Sequence, residues 1–318
     1  MMIVAIIVGA IALIHLASFV INRILSRDEL DNIQPTGTLV EIGGKYKHVF
    51  SMGTGQQTIV LLPGLGVALP SVDFRPLMTA LADKYTVVCV EYFGYGFSED
   101  TKMPRTNINY VLETRQALAE AGFSPPYILM PYSASGIYSE YYATEYPEEV
   151  AALILLDTPS TAEKELPMPR IVCTLSKVQQ AIGLARFLNP LLLPKLIGLS
   201  VENGYTKQEI SHFLKFSNHA LTDAVMDQML RYSEAISEVM GIEFPSTVPV
   251  LAIKADKSQR GTGKKSIDGH LKKLGEHAQY HVIAGSNHST IYHDRNYRRE
   301  ICEEADRFLE ANKQENSQ

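Results

Sequence analysis

The run from Tyr127 to Asp157 constrains this chain more than any other stretch. Tyr127 to Met130 is apolar and too short for a helix, so it reads as a buried strand. Small and compact residues follow at once, around Ser133. A segment of helix length then ends at Pro147, which cannot continue a helix. Val150 to Leu156 is a second continuous apolar strand, closed by Asp157. Strand, tight turn, helix and strand make a parallel crossover unit. A serine on such a turn projects its Oγ above the end of the sheet, and the turn tolerates only compact residues two places before and after it. Pro131 and Ser135 hold those places, and Gly136 follows where the helix must pack against the strand. Ser135 is a rival hydroxyl, but its own +2 neighbour is the bulky Ile137, so Ser133 is the better nucleophile.

The rest of the chain repeats the same grammar. Leu39–Ile42 and Lys45–Phe50 flank Gly43-Gly44 and read as a hairpin. Thr58–Leu62, Tyr85–Glu91, Val248–Ala255 and Tyr280–Ile283 read as strands. Helices are expected over about Phe74–Ala82, Ile108–Ala121, Ser266–Leu274 and Asn296–Glu310. From Thr158 to about Phe244 the periodicity is helical only, over Ile171–Phe187, Leu191–Leu199 and Lys207–Met240, with breaks expected at Pro190, Pro194 and Gly204. The expected architecture is α/β, a mostly parallel sheet with helices on both faces and a helical insertion. Its domains would be a core of residues 38–157 and 248–312 and a helical cap of residues 158–247.

Met1 to Ile21 is apolar except for His15 and Ser18, about the ~20 residues that span a bilayer as a helix. No Lys or Arg precedes it, so it lacks the charged start of a cleavable signal peptide. It reads as an uncleaved anchor over residues 1–22 with a linker over 23–37. Arg23 and Arg27 lie on its C-terminal side, which places the bulk of a single-pass protein in the cytoplasm by the positive-inside rule. Cys89, Cys173 and Cys302 are far apart and odd in number, which agrees with a reducing side and shows no metal spacing. A net charge of −6 and the lack of a long basic run argue against a nucleic-acid surface.

In an open parallel sheet the ligand site lies at the carboxyl ends of the strands. Three features fall there: Ser133, Pro63-Gly64-Leu65-Gly66, and Gly285-Ser286-Asn287-His288. Backbone N–H groups of Leu65 and Ala134 are the candidate donors to the oxygen of a tetrahedral intermediate. His288 is the candidate general base, with His293 its nearest rival. The carboxylate that would orient it is Asp157, or alternatively Asp256.

With those residues in place, the chain from about Thr38 to Glu310 resembles the α/β-hydrolase superfamily, in its lid-bearing esterase and lipase-like group. Pro131-Tyr-Ser-Ala-Ser-Gly136 is similar to the Gly-x-Ser-x-Gly-Gly elbow, Leu62-Pro-Gly-Leu-Gly66 to the His-Gly oxyanion loop, and Gly94-Tyr-Gly-Phe-Ser98 to the family's Gly-x-Gly-x-Ser. Pro63 stands where the family has His, and Glu91 and Phe93 where it has Asp and Arg. Ser258 holds the usual acid position, two residues past Asp256, while Asp157 matches members with the acid after the preceding strand. The resemblance implies a serine hydrolase of ester or related acyl bonds with no cofactor or metal and a small, apolar acyl substrate. The alternatives are a ligand-binding member with little or no turnover, an acyltransferase, or a peptidase.

Overall fold

The apolar runs assemble by their two-residue period. In the computed structural model, which describes residues 2–257 and 264–315, eight strands form one sheet in the order β1-β2-β4-β3-β5-β6-β7-β8. They are β1 (Thr38–Ile42), β2 (Lys45–Met52), β3 (Thr58–Leu62), β4 (Thr86–Val90), β5 (Tyr127–Pro131), β6 (Val150–Leu156), β7 (Val250–Lys257) and β8 (Gln279–Asn287). Strand β2 runs antiparallel to both its neighbours, and β3 to β8 are parallel. Alternate residues face opposite layers, as the pleat requires. Val60, Val88, Leu129 and Leu153 point into one buried cluster, while Ile59, Val87, Ile128 and Ile154 point into the other.

The helices are α1 (Met2–Leu25), α2 (Pro70–Asp73), α3 (Arg75–Leu81), α4 (Asn107–Glu120), α5 (Ser135–Glu145), α6 (Arg170–Ile182), α7 (Leu184–Ile197), α8 (Lys207–Ser217), α9 (Asp223–Met240), α10 (Lys264–Leu274) and α11 (Arg295–Glu315). The first cluster packs on α4 and α5, and the second on α3 and α11, so both faces are covered. Between β6 and β7 the chain makes helices only, α6 to α9. Buried Glu140 on α5 ties the start of this excursion, and α10 beyond it, to the core. It takes hydrogen bonds from Thr161, at the start of the excursion, from His270 on α10 (2.8 Å), and from Lys273 (3.1 Å). Burial alone pushes its carboxyl up, but His270, Lys273 and Thr161 outweigh that and hold it down at about 2.

Three sequence expectations need correction. Pro190 and Pro194 do not break the helical layer but lie inside α7. Their missing N–H groups are four residues apart, so both lost bonds fall on one side of the helix. The break falls instead at Gly183, whose φ of 77° ends α6 in the left-handed region that favours glycine. Lys207–Met240 is two helices, with α9 started by the Thr222 side chain accepting from the Val225 N–H. The segment expected to be a linker is also engaged with the rest of the chain. Helix α1 extends to Leu25, Ile33 is buried against Leu69 and Leu199, and Glu29 is paired with Arg186 and His219. By length and composition α1 is able to cross a membrane.

Candidate active site

Ser133 sits in the turn between β5 and α5 with φ 53°, a left-handed conformation that a non-glycine residue adopts only under constraint. The constraint is visible on both sides. The Ser133 N–H is held by the Leu156 carbonyl (3.0 Å), and the Gly136 N–H returns to the Ser133 carbonyl (3.0 Å). A Cβ on Gly136 would lie 2.5 Å from Thr158, so glycine is required where α5 crosses the end of β6. Ser135 occupies an elbow glycine position because its side chain is absorbed: it is fully buried, contacts the Tyr92 hydroxyl at 2.9 Å and donates to the Pro63 carbonyl. That position disposes of the rival nucleophile and braces the 63–66 loop.

His288 follows β8 directly. The loop expected between Ile283 and His288 is instead a bulge within the strand, between the pairs Ala255–Ile283 and Lys257–Asn287. Gly285 takes φ 77° in the bulge, and its N–H donates to Asp256 Oδ2 at 3.1 Å. Asp256 therefore holds the backbone three residues before His288 and does not contact the imidazole. Asp157 does. Its Oδ2 lies 2.6 Å from His288 Nδ1, and its Oδ1 accepts the Ala255 N–H at 3.0 Å. Asp157 is buried and, like Ser133, has positive φ, 44°. On the other side of the ring, His288 Nε2 lies 3.0 Å from Ser133 Oγ. With Nδ1 protonated toward Asp157, Nε2 is free to accept from the serine hydroxyl. The ring is 35% exposed, so one edge is open to solvent or ligand. Ser258 lies outside the described residues.

The sequence reading overlooked what surrounds these three. Tyr132 stacks on His288 with ring centres 5.0 Å apart, and its hydroxyl donates to the His288 carbonyl at 2.7 Å. The only signal for it was its place beside the elbow serine. Lys254 is buried beneath Asp157 and donates to the Thr158 carbonyl; burial pushes its ammonium down, against the pull of Asp157 and Glu140. His293, the rival base, is buried and engaged by Asp73, 2.9 Å from its Nε2, although both residues line the cavity above Ser133. Glu91 shows why the family's Asp can be replaced. Its carboxylate accepts the Ser71 and Phe97 N–H groups at 3.0 and 2.7 Å, and the space it fills would be blocked by any side chain at Gly96.

Gly64 brings the 63–66 loop onto the elbow so closely that a Cβ there would lie 2.9 Å from Ser133 Cβ. Among the described residues, the N–H groups of Leu65 and Ala134 have no acceptor within the protein. Ala134 stands at the N-terminus of α5, where the helix dipole favours negative charge, and Leu65 lines the cavity beside Ser133. Above Ser133 opens a cavity of about 600 Å³. Its floor includes Gly64, Leu65, Tyr132, Ser133 and His288, and its far walls come from α1, α6, α7 and α8. Among the described residues no group of three His, Cys, Asp or Glu side chains is arranged to hold a metal ion.

A nucleophile-type elbow, an acid–histidine pair reaching it from later strands, and a glycine loop beside it are the marks of one class of α/β protein. A family model for the alpha/beta hydrolase fold matches residues 57–181. The uncharacterized protein YbdG of Bacillus subtilis (strain 168) is 29% identical over 284 residues, 86% of this chain and 85% of that one. Serine hydrolase BPHL of Mus musculus is 28% identical over 123 residues, covering 38% of this chain and 42% of its own length. Among solved structures, a Bacillus megaterium epoxide hydrolase superposes with a TM-score of 0.62 at 20% identity, over 86% of this chain and all of that one. The chain has the α/β-hydrolase fold.

Proposed function

We propose that this protein is a membrane-anchored serine hydrolase that cleaves an ester or closely related acyl bond through an acyl-enzyme. The observation that carries it is the position of one imidazole, 3.0 Å from Ser133 Oγ on one edge and 2.6 Å from Asp157 on the other. In the first step Ser133 Oγ bonds to the substrate carbonyl carbon while His288 Nε2 takes the hydroxyl proton. Asp157 stabilises the imidazolium so formed, and the N–H groups of Leu65 and Ala134 hold the oxyanion. The carbon–oxygen bond to the alcohol breaks, and His288 returns its proton to that leaving oxygen. Water then attacks the acyl-enzyme, gives a proton to His288, and Ser133 Oγ leaves and recovers it. Asp256 serves the position of the His288 loop, not the proton transfer. Helix α1 would be the membrane anchor, with the rest of the chain on the cytoplasmic side.

The Bacillus megaterium relative is an epoxide hydrolase. Attack by a serine oxygen on an epoxide would leave an ether, which water does not cleave readily, whereas attack on an acyl carbon leaves an ester that it does. Ser133 therefore favours the acyl substrate. The test is labelling by a fluorophosphonate probe together with turnover of p-nitrophenyl butyrate. Wild type should label and turn over, and Ser133→Ala should lose labelling and at least ~10³-fold of kcat/KM. A folded wild type that neither labels nor turns over would remove the hydrolase reading and leave a ligand-binding protein.

A further inference from the structure

The cavity roof is joined to α1 by buried polar contacts. Asn22 Nδ2 donates to the carbonyls of Gln180 and Ala181 (3.1 and 3.0 Å), and Ser18 Oγ donates to that of Ile182 (2.9 Å). These are carbonyls at the end of α6, which have no partner within their own helix. Arg186, just inside α7, donates to Asn22 Oδ1 (2.8 Å) and Ser26 Oγ (2.6 Å) and pairs with Glu29. Any side chain at Gly183 would strike Asn22. The end of α1 and the α6–α7 turn are thus one body, and Asn22, Gln180, Gly183 and Arg186 line the cavity.

The position of this seam along α1 is informative. From Met2 to Ala17 the only polar side chain is His15, which bonds the helix's own Ile11 carbonyl. That length of helix is ~24 Å, most of the ~30 Å hydrocarbon thickness of a bilayer. Ser18 and Asn22 come next, so the α6–α7 turn lies at headgroup depth if α1 spans. The outer face of the two helices suits that depth. Ile171, Leu175 and Val178 on α6, and Leu188, Leu191 and Leu196 on α7, are exposed; Leu175 is 59% and Leu191 67% accessible. Residues 170–197 contain Arg170, Lys177, Arg186 and Lys195 and no acidic residue. Arg170 and Lys195 are exposed, flanking the apolar face. Lys177 is paired with Asp223 and Arg186 with Glu29, so Arg170 and Lys195 are the cations that remain for the face. A wide apolar face flanked by cations is the pattern of a helix lying in the interface of an anionic bilayer.

We propose that the outer face of α6 and α7 rests in the headgroup–acyl boundary of the membrane that α1 enters, and that the cavity receives a lipid ester from that surface. The second half rests on the serine-hydrolase reading; the first does not. The chain contains no tryptophan, so each introduced indole is a unique reporter. The full-length protein, carrying Leu175→Trp, Leu191→Trp or, on core helix α4, the exposed Leu112→Trp, is reconstituted into phosphatidylcholine–phosphatidylglycerol vesicles with brominated acyl chains. The first two should be blue-shifted and quenched, and the third should not. In parallel, the Leu175→Asp/Leu191→Asp variant should lose ~10-fold or more on a fluorogenic ester embedded in vesicles and stay within ~2-fold on water-soluble p-nitrophenyl butyrate.

Absence of quenching at both cap positions overturns the proposal, as does their burial in a concentration-dependent dimer, which would make a second copy the occupant. An equal loss on both esters overturns delivery from the membrane. Quenching of the indoles introduced at Leu175 and Leu191, with a wild type that hydrolyses neither ester, supports the docking and removes the hydrolase reading, so the two failures stay distinct.

Discussion

The floor and the roof of the cavity are built on opposite principles. The floor is strand ends and the turns that follow them, held by backbone hydrogen bonds and by two residues forced to positive φ, Ser133 and Asp157. The roof is helices joined through long side chains, with an apolar outer face left open. A floor of that kind has one geometry, because shifting any part breaks main-chain bonds. A roof held by a few side-chain contacts can be altered without disturbing what lies below. The difference teaches that chemistry and access are separable here.

The largest effect should come from breaking the floor at its acid. Asp157→Asn keeps the size of the side chain but removes the charge opposite His288 Nδ1 and allows the wrong tautomer. A loss of ~10⁴-fold in kcat is expected. Asp256→Asn retains an oxygen that accepts from the Gly285 N–H, so a loss under ~10-fold is expected. Steady-state kinetics on a soluble ester checks both, and a reversal of the two would exchange their roles.

The second effect concerns the start of the excursion from floor to roof. Glu140 is buried among His270, Lys273 and Thr161. Removing the charge of one partner in a buried cluster leaves the others uncompensated, so Glu140→Gln should destabilise by about 3 kcal/mol. The pH dependence follows from the direction of the shift. The folded carboxyl is held at about 2, below its usual value, so its contribution is full above about 4.5 and is lost as pH falls toward 2. Urea midpoints between pH 7 and pH 3 should therefore fall further in wild type than in Glu140→Gln. Parallel slopes would mean the cluster adds little to folding.

The same division explains what was legible in the sequence. The sheet could be read because apolar runs of strand length, bounded by Gly and Pro, leave few other folds. Ser133 and His288 could be singled out because a tight turn restricts its neighbours and because each follows a strand. Asp157 could be put ahead of Asp256 from its place after β6, but what Asp256 does instead was not legible, since it depends on the bulge at Gly285, a two-residue shift that no local pattern announces. The roof was read least well. Pro190 and Pro194 suggested breaks, yet α7 passes through them because its packing on α1, α6 and α8 outweighs local propensity. The contacts of Arg186 with Asn22 and Glu29 join positions far apart in the chain, and residue type alone cannot foretell such pairs.

Gly183 gives the smallest and most discriminating prediction, because it belongs to the roof alone. It lies at φ 77° in the α6–α7 turn, against Asn22. Alanine there would meet both the left-handed backbone cost, at least about 1 kcal/mol, and the Asn22 side chain. The response available is for the turn to move off α1, exposing the carbonyls of Gln180 and Ala181 that Asn22 now satisfies. Nothing in that movement touches Ser133, Asp157 or His288. Hydrogen exchange in Gly183→Ala should therefore quicken through the end of α6 and the start of α7, while turnover of a soluble ester stays within ~3-fold of wild type. Loss of soluble-ester turnover together with faster exchange at the elbow would show that the roof also holds the floor in shape, and the two could no longer be treated as separate.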